Sequence, residues 1–189
     1  MGEPARSVYL VRTGLLKTGT VSPGGHELTL RIHQPGDILG ELCLCLGERR
    51  EQAVALEASK IVEIPLDLLI ARLRRDPEAA LDFATMASAH LLQTYQRLES
   101  LSVEPAMGRL TRTLLELASG LGEPTVRGTQ IGHHITQEEL ARLISARREV
   151  VSSLLNELRK TGLINYTRRG FIVLDRPGLQ QLLESISQS

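Results

Sequence analysis

The sequence predicts an α+β fold: a small N-terminal roll of short strands, one long helix, and a C-terminal helix-turn-helix with a hairpin wing. Three observations carry this. Short stretches of alternating polar and apolar residues, separated by Gly and Pro turns, fill residues 8–64. A helical pattern with apolar or small residues at alternating steps of three and four runs from Pro77 to about Val103. The stretch ITQEELARLISARREVVSSLLNELRK, residues 135–160, has the capping and apolar spacing of two short helices meeting at a tight turn. The chain divides accordingly into a roll over residues 1–76, a long helix over 77–104 and a helix-turn-helix domain with its wing over 105–189.

Composition narrows the classes of function. Lys and Arg total 22, matching 22 Asp and Glu, so the net charge is zero. That balance argues against a general polyanion binder but not against a site-specific one. No apolar stretch approaches a membrane span, and MGEPARSVYL lacks the layout of a secretory signal. A cytoplasmic protein without a membrane partner is expected. The two cysteines, Cys43 and Cys45, lie too close for an ordinary disulfide, which fits a reducing compartment. The histidines, His26, His33, His90, His133 and His134, show no metal-ligand spacing, and no metal site is expected. Catalysis would need a nucleophile with a base, paired carboxylates or a phosphate loop, and none is present. The chain is not read as an enzyme.

Strands are expected at residues 8–12, 15–21 and 27–32, with Pro23-Gly24-Gly25 as a hairpin turn and Gln34-Pro35-Gly36-Asp37 as another. Residues 53–64 supply two more strands around Glu57-Ala58-Ser59. Cys43 and Cys45 read as strand residues whose thiols share one face, packed as small side chains. A short helix over 67–75 closes at Asp76-Pro77. Pro77 then sits in the first turn of the long helix, where its missing N–H costs little.

Leu81, Ala84, Ser88, Leu91, Tyr95 and Leu98 of that helix form a heptad seam. A core-facing helix would show a similar stripe, but Thr85, Gln93, Gln96, Arg97 and Glu99 leave this one narrow, which favours a homodimer. Glu104-Pro105 ends the helix; another follows over 107–118, then a flexible loop over 119–124.

In the helix-turn-helix, Thr136 and Glu139 form a capping box, and Leu140, Ala141, Leu143 and Ile144 make the first buried face. Ser145 stands at the turn, where many such motifs carry Gly because the backbone is left-handed. The second helix, from about Arg147, buries Val150, Val151, Leu154, Leu155 and Leu158. Its other face carries Arg147, Arg148, Glu149, Ser152, Ser153 and Asn156, side chains able to bond base edges and phosphates. Gly162 caps it, and two strands around Arg168-Arg169-Gly170 form the wing. Residues 147–169 hold six basic side chains against two acids, so positive charge gathers where DNA would lie. Thr136, Gln137, Arg147, Arg148, Glu149, Ser152, Ser153, Arg168 and Arg169 are the candidate DNA contacts. A winged helix serving only as a protein-interaction module is the alternative. A last short helix is expected over 178–186.

This order of elements resembles the CRP/FNR family of bacterial transcription regulators. VYLVRTGLLKTGTVSPGGHELTLRIHQPGDILGEL is similar to that family's sensor roll, and ITQEELARLISARREVVSSLLNELRKTGLI to its helix-turn-helix. The resemblance implies a cyclic-nucleotide-binding-like roll, a dimerising helix and a winged helix, with an effector or acting without one. It also implies double-stranded DNA, a second copy of the chain and RNA polymerase as partners.

In nucleotide-binding members a Gly-Glu-Leu segment and a following Arg hold the ribose phosphate; here these would be Gly40, Glu41, Leu42 and Arg49. Departures follow. Arg50 replaces the usual Ser, and of a Thr-Ser pair contacting adenine only Thr94 is kept, Tyr95 standing for the Ser. A cyclic nucleotide is therefore not the favoured ligand, and no cofactor is certain. The other reading keeps these residues as architecture, with Gly40 a turn and Glu41 and Arg49 an internal ion pair. Gly2-Glu3-Pro4-Ala5 resembles a segment that the family has only after two initial strands, so either the roll is abbreviated or the chain's start is incomplete.

Overall fold

Period-two patterning in the first third produces six strands in two antiparallel sheets. The computed structural model describes residues 2–22, 24–25 and 27–187; Pro23 of the expected hairpin turn and His26 lie outside the described residues. One sheet has the order β4 (Ile38–Leu39), β1 (Ser7–Thr13), β6 (Lys60–Pro65). The other has the order β3 (Glu27–His33), β2 (Leu16–Val21), β5 (Gln52–Ala55). The two-residue β4 escapes the alternation rule for want of length. It pairs with β1 through Tyr9↔Leu39 and Leu10↔Ile38.

Between β4 and β5 the chain departs from expectation. Residues Cys43–Leu46 form a single helical turn, α1, closed by Gly47 at φ 66°. Residues two apart on a helix face nearly opposite ways, so Cys43 is buried and Cys45 exposed, not on one face. The Cys43 thiol donates to Ser7 O at 3.8 Å, and burial pushes its pKa up.

α2 (Leu66–Arg75) lays Leu69 into a core of Ala5, Val8 and Cys43. Asp76 then caps α3 (Pro77–Val103), its carboxylate accepting from the Glu78 and Ala79 amides at 3.1 Å. Two faces of α3 are distinguishable. Phe83, Met86, Ala87 and His90 turn partly inward, and Phe83 packs on the roll core. Leu81, Ala84, Ser88, Leu91, Tyr95 and Leu98 are all exposed.

The chain separates into two compact units, Met1–Tyr95 and Gln96–Ser189, the boundary falling inside α3. In the second unit α4 (Ala106–Leu121) runs three residues past its expected end, and the predicted loop over 119–124 is not there. A hairpin replaces it: β7 (Gly122–Thr125) pairs antiparallel with β8 (Gly128–Ile131). Pro124 argues against a strand in sequence, yet β7 is the edge of a sheet ordered β7-β8-β10-β9, where a missing N–H is harmless. α5 (Gln137–Ile144) and α6 (Arg148–Lys160) follow, then β9 (Ile164–Tyr166), β10 (Ile172–Leu174) and α7 (Arg176–Ser187). Among the residues of this unit, Leu110, Leu114, Ile131, Leu140, Ile144, Leu158, Ile164, Leu174 and Leu179 are each almost fully buried.

Candidate nucleic-acid interface

The helix-turn-helix forms by local chemistry. Thr136 Oγ1 accepts from the Glu139 amide at 3.1 Å, and its hydroxyl donates to the Glu139 carboxylate. That reciprocal cap starts α5. Ala141, with little side chain, is buried between the two helices, and its carbonyl accepts from the Ala146 amide at 3.0 Å. Ser145 turns the chain at φ 53° and ψ 51°, a left-handed residue as its position suggests. Such a backbone costs a side-chain-bearing residue roughly 1 kcal/mol. Ser145→Gly should therefore stabilise the protein by about that amount, read as a higher urea midpoint with unchanged slope. A lower midpoint would show that the serine hydroxyl repays the strain.

α6 begins at Arg148, with Arg147 just outside in extended conformation. Val151, Leu155 and Leu158 are its buried stripe. Val150, read from spacing as part of that stripe, is 39% exposed instead. Its neighbour Val151 takes the core position, and about 100° per residue carries Val150 toward the solvent face. Arg147, Arg148, Glu149, Ser153 and Asn156 are exposed with it, and Ser152 is half-buried. Thr136 is exposed and Gln137 half-buried at the start of α5. At the far end, Gly162 at φ 79° lets Leu163 N–H reach Leu158 O at 3.0 Å, closing α6 so that β9 can start.

The wing is a tight hairpin. Ile172↔Tyr166 and Leu174↔Ile164 register its strands, and Thr167 accepts from Gly170 N–H across the tip at 2.9 Å. Arg168 and Arg169 are exposed at that tip. His134 lays its ring on Phe171 with centroids 4.3 Å apart, bracing the wing against the segment before α5. Among the described residues, Arg147, Arg148, Arg168 and Arg169 enter no ion pair, so their charge is available to an outside anion.

In the roll, a cavity of about 340 Å³ is lined by Tyr9, Leu16, Thr18, Leu39, Gly40, Leu42, Cys43, Glu48, Arg49, Arg50, Glu51, Ala53 and Ile61. Gly40, at φ 86°, is a turn residue; a Cβ there would stand 2.6 Å from Arg49 Nη1. The expected ion pair between Glu41 and Arg49 does not form. Arg49 donates to Ser7 O at 2.7 Å and to Tyr9 Oη at 3.4 Å, and lies over the Tyr9 ring. Glu41 pairs with His90 of α3 at 3.1 Å, both largely buried. Arg50 pairs with Glu48 at 2.5 Å. Thr94 and Tyr95 are exposed and do not line the cavity; Thr94 donates to His90 O. Deeper in the roll, Thr18 and His33 Nε2 lie 3.0 Å apart, and burial lowers the His33 pKa to about 4.

The family model for the cyclic nucleotide-binding domain matches residues 1–76, and that for the Crp-like helix-turn-helix domain matches residues 108–182. The anaerobic regulatory protein of Bacillus subtilis is 32% identical over 177 residues, covering 93% of this chain and 74% of the relative. The chain belongs to the CRP/FNR family of transcription regulators. Two solved structures of regulators from Thermus thermophilus agree. One, a transcriptional regulator of the CRP family, superposes with a TM-score of 0.80 at 28% identity, covering 97% of this chain and 90% of that one. The other, of the CRP/FNR family, superposes with a TM-score of 0.77 at 29% identity, covering 98% and 94%. CRP/FNR regulators bind DNA through the helix-turn-helix and work as dimers. As a member, the chain is a DNA-binding transcription regulator, of a family whose members typically bind an operator as homodimers. Its relatives are regulators, not enzymes. No helix among the described residues is long and apolar enough to cross a membrane.

Proposed function

We propose that α6 is the recognition helix, that Arg148, Glu149 and Ser153 face base edges, and that Arg147, Ser152, Thr136, Gln137, Arg168 and Arg169 hold the phosphate backbone. The observation that carries this reading is the exposed Arg147, Arg148 and Glu149 at the start of α6 beside the exposed wing tip, none of whose arginines enters an ion pair among the described residues. Val150, exposed among them, joins the site as an apolar contact for a thymine methyl. Residues 1–76 serve as sensor, 77–104 as dimerisation helix with the seam at Leu81, Ala84, Ser88, Leu91, Tyr95 and Leu98, and 105–189 as the DNA-binding domain. The protein works in the cytoplasm with RNA polymerase as a further partner and performs no catalysis. Selecting bound sequences from random duplex DNA tests this: a palindrome should emerge, bound with a steep salt dependence. Enrichment of no sequence would overturn it.

The cavity residues do not fit a cyclic nucleotide. Arg49 turns one nitrogen of its guanidinium to Ser7 O, Glu41 pairs with His90 and does not line the cavity, and Arg50 lines it where the family pattern has a small hydroxyl. Any effector of this roll is another small molecule, or none is needed. Titration calorimetry with cyclic AMP should give no binding in the micromolar range, on the order of −8 kcal/mol. A sub-micromolar site abolished by Arg49→Ala would overturn this.

A further inference from the structure

Arg97 lies on the last part of α3, one residue before Leu98, and faces the other way: Arg97 is half-buried while Leu98 is 57% exposed. Its Nη2 donates to Leu143 O at 2.7 Å. From α4, Arg109 Nε donates to Ile144 O at 2.9 Å, and Arg109 Nη1 to Glu104 O at 2.7 Å. Leu143 and Ile144 end α5, where helix carbonyls lack intrahelical partners and the helix dipole is negative. Ser145, the turn itself, is next. The corner between α3 and α4 is braced as well: Glu104 pairs with Arg112 and accepts from Ser100 Oγ at 2.5 Å. Burial lowers the Arg97 pKa, and Glu116 on α4 opposes that.

We propose that Arg97 is a positioning residue: it ties the helix-turn-helix turn to the helix that carries the dimer seam, and so sets the spacing between half-sites that the dimer accepts. This rests on the palindromic-operator reading above. Arg109 joins α5 to α4 within the DNA-binding domain, whereas Arg97 reaches α5 from the seam helix itself. Because α6 starts three residues after Ser145, the bond at Leu143 O acts at the root of the recognition helix. Half-sites lie about 34 Å apart, so each recognition helix sits roughly 17 Å from the two-fold axis. A swing of about 10° at that radius moves it about 3 Å, close to the roughly 3.4 Å rise of one base step. A loosened bond at Leu143 therefore costs spacing discrimination before it costs recognition of a half-site.

The test uses the full chain and palindromes of its selected half-site, with the spacer lengthened or shortened by one and two base pairs. Wild type should prefer one spacing by about tenfold or more, a discrimination of the size that a single mismatched pair produces. Arg97→Met, which keeps the alkyl stem and loses the donors, should bind all the spacings within about threefold of one another, with unchanged half-site sequence preference and unchanged dimerisation by sedimentation. Arg97→Lys, which keeps the charge without the planar fork, should fall between them and carries the comparison if Arg97→Met does not fold. An Arg97 variant that keeps the wild-type spacing profile overturns the proposal. So does one that weakens every spacing equally, since that is the mark of a merely structural residue. Wild type binding no palindrome at any spacing would overturn the operator reading, and this proposal with it.

Discussion

Leu91→Glu is expected to yield a monomer that no longer holds its operator. Leu91 is 52% exposed at the middle of the seam on α3, a 27-residue helix. The same face exposes Leu81, Tyr95 and Leu98, at 68%, 59% and 57%. Such a row of large apolar side chains at heptad spacing is stable in water only when a second helix covers it. In the proposed dimer Leu91 would lie close to its symmetry mate. Two glutamates there would be buried together with no cation beside them, at a cost of several kcal/mol. Because each protomer supplies one recognition helix, the monomer is left with half the contacts and loses the palindrome. Sedimentation velocity and operator binding check the two halves of the expectation. Gln93→Glu, off the seam and exposed, should change neither. A Leu91→Glu protein that still sediments as a dimer would place the interface elsewhere.

The second large effect is on sequence preference. Arg148 opens α6 and is exposed, and among the described residues it enters no ion pair. It can donate to O6 and N7 of one guanine, while Glu149 accepts from a cytosine N4. Losing a bidentate contact costs roughly 1–3 kcal/mol, so Arg148→Ala should weaken the preferred site about 5- to 150-fold and blur a single base position in each half-site. Arg168 at the wing tip should behave differently, because phosphate contacts are blind to sequence. Arg168→Ala weakens all duplexes alike and flattens the salt slope by about one unit. Ser153 is too short for a bidentate contact, so the base pair opposite it should tolerate change already in wild type. Repeating the site selection with each variant decides the matter. An Arg148→Ala protein with wild-type preference would show that α6 reads the groove through other residues.

What the sequence by itself determined was whatever short-range chemistry controls. Thr136 and Glu139 are three residues apart, and their reciprocal cap is a property of one helix turn. Periodicity drew α3 from end to end, because the repeat of a helix is written in which residues avoid water. Even the left-handed Ser145 was legible, from the need for a turn between two apolar stripes.

Tertiary structure decided the partners. Glu41 meets His90 across 49 residues and Arg49 meets Ser7 across 42, and no local spacing distinguishes these pairings from an ion pair between Glu41 and Arg49. Cys43 and Cys45 took opposite environments because Gly47 closes a helical turn where alternation suggested a strand. The β7–β8 hairpin was hidden because Pro124 is a strand breaker unless the strand is an edge, and only the assembled sheet makes it one. Val150 is exposed while its neighbour Val151 is buried, since adjacent helix residues point about 100° apart. A sequence records which side chains prefer burial, but which of two adjacent candidates is buried, and against what, is settled by packing between segments far apart in the chain.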